Sequence, residues 1–231
     1  MDSTESVSAS SADSGDVAAA LCAPFVESLP VTGASICVFG PGGSQSVICA
    51  SDDVASRLEE LQFDLGEGPH WELMLNGQQD VAIEDLERDG AERWPVFAHA
   101  AVALGASALF ALPVRMGAVL VGVVDLYRTS PGALDDPAMA LAHELARSIA
   151  APAVKAAIRS AGEDAPAESI ATPAMRREVH QAVGMILVQL EIDATSAFSQ
   201  LRAHAFSSGR TVQDVAHDVV LRTIDFANLP D

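Results

Sequence analysis

The 231-residue chain has few aromatic residues and few basic ones. Aromatic side chains make up 5% of the residues, against 49% for all hydrophobic types, so the core must be built mainly from Ala, Val, Leu and Ile. Lys and Arg number 13 against 32 Asp and Glu, which gives a formal net charge of −19. This charge argues against capture of nucleic acid or of an anionic membrane by the surface as a whole, because both are negatively charged.

Cysteine is also scarce. The chain has three cysteines, an odd number without a CxxC pair: Cys22, Cys37 and Cys49. This pattern argues against a structural disulfide or a zinc site. It favours a reducing compartment, so we expect a cytoplasmic protein.

Long uninterrupted hydrophobic runs are absent. The most apolar stretch, 100–127, contains proline, arginine and several glycines, which predicts two buried strands joined by a tight turn and no membrane helix. The N-terminus is acidic and serine-rich without an apolar segment. We therefore expect a disordered leader at 1–15 and no signal peptide.

Hydrophobic periodicity divides the remaining chain into two parts. From 16 to 160, short strands alternate with helices, and the strand at 117–127 is apolar on both faces, which predicts a central place in a sheet. A linker with small residues and proline follows at 161–167. From 168 to 228 the pattern is helical throughout, with Gly209 at a turn and Thr211 at a helix N-terminus. The sequence thus predicts an α+β domain followed by an all-α three-helix bundle.

The C-terminal part carries a spaced pattern over some fifty positions: Gln181-Ala182-Val183-Gly184-Met185-Ile186, Ala197-Phe198-x-x-Leu201-Arg202, Ala205, Arg210, Asp214-Val215-Ala216 and Val219-Val220. In these residues it resembles the ANTAR domain, an RNA-binding antitermination module.

The preceding part carries a second pattern: Gly66-Glu67-Gly68-Pro69, Arg93-Trp94-Pro95, Gly105, Pro113, Gly122 and Leu126-Tyr127. In these residues it resembles a GAF domain of the kind fused to ANTAR in actinobacterial regulators. The implied fold is a GAF-like antiparallel sheet flanked by helices, followed by an ANTAR-like bundle.

The ANTAR resemblance implies binding of tandem RNA hairpins in a nascent transcript. Binding of this kind needs phosphate neutralisation and contacts to unpaired bases. From Pro173 onward there are five basic and seven acidic residues, so a local basic patch is most plausible in this part. The candidate RNA-binding residues are Arg176, Arg177, His180, Gln181, Gly184, Arg202, Arg210 and Thr211.

Gly184 lies inside a predicted helix, where glycine costs about 1 kcal/mol relative to alanine. Two interpretations are open: close packing of one helix on another, or close approach of RNA to the backbone. We also expect a homodimer, which would double the basic set. The stripe Leu141, Leu145, Ile149 on the long preceding helix either forms the dimer contact or packs on its own sheet.

The GAF resemblance implies a ligand pocket, which we assign to Gly66, Gly68, His70, Trp71 and Trp94. Trp94 also fits a core position, and a lone histidine such as His70 is more often a hydrogen-bonded surface group than a ligand. The ligand stays open, with a small molecule as one candidate. The segment 126–136 lacks the cyclic-nucleotide pattern, which disfavours cyclic GMP.

The sequence contains no G-x-S-x-G, P-loop or H-E-x-x-H motif, so we expect no catalytic residues, no metal site and no enzyme. The predicted function is a signal-responsive, RNA-binding antitermination regulator. Two alternatives remain: a protein-interaction or dimerisation regulator without RNA binding, and a redox- or metal-sensing GAF protein that uses His70 or a cysteine.

Overall fold

The computed structural model describes residues 20–40, 45–75, 79–162 and 173–229, without the side chains of 160–177. The chain divides into two compact units, Met1–Pro166 and Ala167–Asp231. The predicted leader at 1–15 and most of the predicted linker lie outside the described residues.

The first unit is built on a five-stranded sheet. Its strands are β1 (Gly33–Phe39), β2 (Gln45–Ala50), β3 (Val81–Ile83), β4 (Ala108–Met116) and β5 (Val119–Arg128). The order β2-β1-β5-β4-β3 is antiparallel throughout and places β5 at the centre, as its two apolar faces predict. Gly122 allows β1 and β5 to approach closely, because a Cβ there would overlap the carbonyl oxygen of Cys37.

Helices cover both faces of this sheet. They are α1 (residues 20–28), α2 (Asp53–Leu65), α3 (Pro69–Leu75), α4 (Leu86–Arg93), α5 (Pro95–Ala103) and α6 (Asp136–Gly162). One core cluster packs α1 and α6 on one face of the sheet. A second cluster packs the four helices α2, α3, α4 and α5 on the other face. The predicted antiparallel sheet flanked by helices is therefore confirmed. The helix α4, capped by Asp85, was not predicted from the sequence.

The long helix α6 packs on its own sheet. Ile149 is buried in the same cluster as strand residues of β1, β4 and β5, and Leu141 and Leu145 pack against that cluster. Of the two interpretations of this stripe, the structure supports packing within the unit.

The expectation that no disulfide forms is wrong. Cys22 on α1 and Cys49 on β2 are joined, with their Cα atoms 6.1 Å apart, and Cys37 is buried and takes no part in this bond. The two bonded cysteines are 27 positions apart, and packing of α1 on the sheet brings them together. The spacing of the cysteines in the sequence does not predict this tertiary contact.

The second unit consists of α7 (Pro173–Leu190), α8 (Ala194–Ser208) and α9 (Val212–Val220), followed by a 3-10 turn at Phe226–Asn228. The predicted turn chemistry is confirmed: Gly209 has a φ of 65°, and the Thr211 hydroxyl accepts a hydrogen bond from the Asp214 amide at 3.0 Å. Apolar residues of all three helices form its core, among them Ile186, Leu201 and Val215. This confirms the predicted all-α three-helix bundle.

Within the described ranges, no single helix combines the length and the apolar character needed to cross a membrane. The pair Glu178–Leu190 and Ala194–Ser208 meets that test jointly, with a bend of 105° between its two helices.

Candidate functional site

Two places in the molecule combine polar groups with an unusual environment. One is an open groove on the second unit, and the other is a cluster of ionisable side chains buried in the first.

The groove runs along an exposed face of α7 and has a volume of about 470 Å³. We call it the α7 groove. It is lined by Gln181, Gly184, Met185, Val188 and Gln189 from α7 and by Arg222, Ile224 and Asp225 from the segment after α9.

Gly184 is an exposed glycine in this groove. A Cβ placed on it would find no described atom within 4 Å outside its own helix backbone. The interpretation that Gly184 permits close helix packing is therefore wrong. The cost of a glycine inside a helix, about 1 kcal/mol, is offset by no contact in the described part of this unit.

Arg222 also has an unfavourable backbone conformation, with a φ of 60°. It follows the end of α9, in the left-handed conformation that glycine usually adopts after a helix. Within the described residues its guanidinium forms no ion pair. The neighbouring Asp225 carboxylate accepts instead from the Ala227 amide and from Asn228, at 3.0 and 2.7 Å.

Arg202 and Arg210, which were predicted to bind RNA, lie outside the α7 groove. Arg210 pairs with Asp218 at 2.8 Å, and its hydrogen bond lowers the pKa of Asp218. The guanidinium of Arg202 lies 5.1 Å from the centre of the Phe198 ring, and burial lowers the pKa of Arg202.

Thr211 and His180 are also absent from the groove lining. Thr211 uses its hydroxyl to cap α9, and His180 is exposed on α7. The side chains of Arg176 and Arg177 lie outside the described residues.

The buried cluster of the first unit consists of Glu59 on α2, His70 on α3 and Asp125 on β5. The Nδ1 atom of His70 lies 2.9 Å from Asp125 Oδ2 and 3.8 Å from Glu59 Oε2. The side chains are 2%, 1% and 11% exposed for Glu59, His70 and Asp125 respectively. The expectation of a surface position for His70 is wrong, since α3 packs on β3, β4 and β5 and carries the imidazole inside.

Burial raises the pKa of Asp125, and the neighbouring Glu59 carboxylate raises it further, against the opposing effect of His70. The causes follow from electrostatics: burial disfavours a charged carboxylate, a second carboxylate repels it, and an imidazolium stabilises it. The ligand atoms of the three side chains lie within 4.8 Å of one another, so the cluster can hold a metal ion.

Gln62 holds this region together. Its side chain accepts a hydrogen bond from the His70 amide at 2.9 Å, and its carbonyl accepts one from the Trp71 indole. Gly68 lies against the same side chain with a φ of 112°. Glu67 accepts hydrogen bonds from the amides of Val96 and Phe97, at 3.1 and 2.9 Å, and so ties the loop to α5.

A cavity of about 10 Å³ lies beside the buried cluster, lined in part by Gln62, Pro69, Asp125 and Tyr127. This volume is about that of a single water probe, so it admits an ion or a water molecule and excludes an organic ligand. None of the five predicted pocket residues lines it.

The family comparisons agree with both halves of the fold. A family model described as GAF domain matches residues 11–151. The chain belongs to the GAF family. A second model, described as ANTAR domain, matches residues 171–220, so the three-helix unit is an ANTAR domain.

Several solved structures of low sequence identity are similar to this chain. A domain of a two-component sensor histidine kinase protein from Sinorhizobium meliloti is 20% identical, with a TM-score of 0.49, covering 65% of this chain and 97% of that one. GAF3 of Slr1393 from Synechocystis is 18% identical, with a TM-score of 0.48, covering 65% and 99%. A free methionine-R-sulfoxide reductase from Thermoplasma acidophilum is 15% identical, with a TM-score of 0.46, covering 62% and 93%. No curated protein matches the chain.

The predicted pocket residues of the GAF domain have several structural roles. Gly66 ends α2 with a φ of 63°, and Trp94 is 5% exposed within the core, edge-on to Phe97. Their role in ligand binding stays a prediction.

Glu59, Asp125 and Arg222 were not predicted as site residues from the sequence. A signal was present for the first two. Asp125 is the single charge inside an otherwise apolar strand segment, and Glu59 lies on the face of α2 that also carries Ala55 and Leu58. For Arg222 no local signal existed, because its backbone conformation is seen only in the structure.

Proposed function

We propose that this protein is a signal-responsive regulator whose ANTAR domain binds hairpin RNA and suppresses transcription termination. The GAF and ANTAR domains are regulatory modules, which supports a sensor coupled to an output. In this proposal the protein is not an enzyme, and it acts in the cytoplasm. The Cys22–Cys49 pair would be a dithiol in that compartment, since glutathione and thioredoxin keep such thiols reduced.

The observation that carries the RNA proposal is the open space above Gly184. A helical glycine with no neighbour leaves main-chain atoms accessible to a sugar, a phosphate or an unstacked base. Alanine would make the helix more stable at no steric cost within the described part of the bundle. The presence of glycine here therefore supports a ligand that approaches closer than a methyl group permits.

Arg222 supplies the positive charge at the edge of the same groove. Arginine binds phosphate through a planar fork of N–H donors. Its left-handed backbone costs energy that glycine would avoid. Gly184 and Arg222 thus each destabilise the backbone around them, which is expected where function outweighs stability.

The polar groups of Gln181 extend this surface along α7. Amide side chains donate to and accept from base edges, and so suit contacts to unpaired loop bases. Gln189 has a different task, since its side-chain oxygen accepts from the Phe226 amide at 3.2 Å and fixes the turn beside Arg222.

Arg202 and Arg210 take second place in this proposal. Arg210 would have to exchange Asp218 for a phosphate, and Arg202 would have to leave Phe198. Arg176, Arg177, His180 and Thr211 stay candidates for contacts at the margins of the site.

The test is a titration of the full-length protein with a tandem-hairpin RNA from about 50 to 200 mM salt. Phosphate contacts make the logarithm of the affinity fall linearly with the logarithm of salt concentration, by roughly 0.7 to 0.9 per contact. Replacement of Arg222 by Gly should weaken binding about tenfold and lower the slope by about one contact. Gly184→Leu should abolish binding by occupying the open space.

Two control variants isolate these effects. Arg57→Ala removes the same charge from the exposed face of α2 in the GAF domain and should leave RNA affinity unchanged. Glu191 also has a positive φ, of 55°, and lies outside the α7 groove. Glu191→Gly therefore relieves backbone strain like Arg222→Gly but should not weaken binding.

The rival is a protein-binding or dimerising bundle without RNA affinity. It predicts no retention of RNA even at the lowest salt concentration. Equal loss of affinity in Arg57→Ala and Arg222→Gly would likewise refute the assigned site, since binding would then follow overall charge alone.

A homodimer is part of the same proposal. Ile158 on α6 is 68% exposed, although its neighbours Ala156 and Ala157 pack in the core, and this supports an apolar contact there. Light scattering should give twice the mass of the chain, and Ile158→Glu should give the mass of one chain.

A further inference from the structure

The buried cluster of Glu59, His70 and Asp125 has no role in RNA binding. Its three residues come from α2, α3 and β5, and lie far apart in the sequence. Each has its side chain inside the GAF domain, where an ionised group is expensive to bury without compensation.

The cluster places two carboxyl groups against one imidazole inside the domain. Protonation is one way to remove the charge of buried carboxyl groups, and binding of a cation is the other. A divalent cation beside a neutral imidazole balances two ionised carboxylates.

The spacing of the ligand atoms is compatible with a coordination sphere. Ligand atoms about 2.1 Å from an ion are roughly 3.0 to 3.6 Å apart at angles of about 90 to 120°. His70 Nδ1 lies 2.9 Å from Asp125 Oδ2, with which it is hydrogen-bonded, and 3.8 Å from Glu59 Oε2. All three ligand atoms lie within 4.8 Å of one another, so a small shift of the Glu59 carboxylate brings them closer to coordination distances.

The surroundings support binding of an ion and oppose binding of a larger ligand. The adjoining cavity of about 10 Å³ admits no organic molecule. The buried Asp125 Oδ1 has no hydrogen-bond partner among the described residues, which leaves a carboxylate oxygen available. Gln62 fixes the His70 backbone, and Phe39 packs edge-on to the imidazole with ring centres 5.6 Å apart. Such outer contacts orient a metal ligand.

We propose that Glu59, His70 and Asp125 form a binding site for a divalent first-row transition-metal ion in the GAF domain. One imidazole nitrogen and two carboxylate oxygens suit Zn²⁺, Fe²⁺, Mn²⁺ or Co²⁺. The absence of sulfur from the set disfavours Cu⁺, and the imidazole disfavours Mg²⁺ and Ca²⁺. Three protein ligands leave a coordination position for water or a small signal molecule.

The probe is Co²⁺, added to the full-length protein after treatment with a chelator. Visible absorption bands report coordinated Co²⁺, and titration gives its affinity and its ratio to the chain. We expect one tightly bound ion per chain. Asp125→Asn and Glu59→Gln keep the shape of each side chain and should each weaken Co²⁺ binding about tenfold or more.

His143 provides the matched control. It forms a histidine–aspartate pair with Asp80 at 2.8 Å, but at the surface, with side chains 34% and 36% exposed. His143→Asn should leave Co²⁺ binding unchanged. If it weakens binding as much as Asp125→Asn does, the ion binds at the surface and the proposal is wrong.

A second measurement needs no variant. The Trp71 ring centre lies 6.2 Å from that of His70, so bound Co²⁺ should quench tryptophan fluorescence with the same affinity as the absorption titration. Absence of saturable quenching and of absorption bands would overturn the proposal. Unchanged Co²⁺ affinity in both folded cluster variants would overturn it equally.

Discussion

Gly184→Ala separates stability from RNA binding in the ANTAR domain. The glycine lies inside α7, and a methyl group there meets no described atom within 4 Å. The substitution therefore raises the helix propensity of α7 and introduces no steric clash with the described residues. We expect the ANTAR domain to become more stable by about 0.8 to 1 kcal/mol. For a unit of this size that corresponds to a rise in Tm of roughly 4–8 °C.

The two units can be followed separately in the full-length protein. Both tryptophans, Trp71 and Trp94, belong to the GAF domain, so their fluorescence reports its unfolding alone. Far-UV circular dichroism adds the helices of the ANTAR domain. The tryptophan transition should stay unchanged in Gly184→Ala, while the second transition moves to higher urea concentration and RNA affinity falls.

An exposed alanine supplies the reverse control. Ala203 lies within α8, and Ala203→Gly should destabilise the ANTAR domain by about 1 kcal/mol without affecting RNA affinity beyond the loss of folded protein. A destabilised Gly184→Ala protein would refute the open-space argument. A stabilised protein with undiminished RNA affinity would refute the functional role of Gly184.

Three further predictions concern the GAF domain. Reduction of the Cys22–Cys49 bond, which closes a separation of 27 residues, should lower the free energy of unfolding by about 3–4 kcal/mol, measured by tryptophan fluorescence in urea with and without reductant. Gly122→Ala should destabilise the domain by about 3 kcal/mol or abolish folding, because the added methyl overlaps the Cys37 carbonyl oxygen in the neighbouring strand. Calorimetry would measure the lowered unfolding temperature, and an unfolding temperature equal to that of the wild type would contradict the close approach of the strands. Burial raises the pKa of Asp125, so the folded metal-free protein holds a proton that the unfolded chain releases. Its stability should therefore fall as pH rises from about 4 through that raised pKa, and Asp125→Asn should reduce this dependence in urea titrations at several pH values.

Local patterns predicted the architecture well. The apolar character of both faces of 117–127 predicted the central place of β5 in the sheet. Thr211 and Gly209 predicted the start of α9 and the end of α8. These features depend on a few neighbouring residues, which is why one sequence suffices to predict them.

The candidate sites were harder to predict because they depend on tertiary packing. His70 reads as an isolated histidine in the sequence, and its partners Glu59 and Asp125 come from other elements. The Cys22–Cys49 bond has the same origin. The role of Gly184 could not be decided either, since close packing and open space predict the same residue.

The layering of the GAF domain determines how Asp125 is linked to α6. Successive residues of a strand point to opposite faces, so Val124 and Leu126 belong to the core shared with α6 while Asp125 faces α2 and α3. Asp125 is therefore adjacent in the sequence to two residues, Val124 and Leu126, whose side chains lie in the core shared with α6. A displacement of Asp125 can be transmitted to α6 through β5 itself, without passing through a loop.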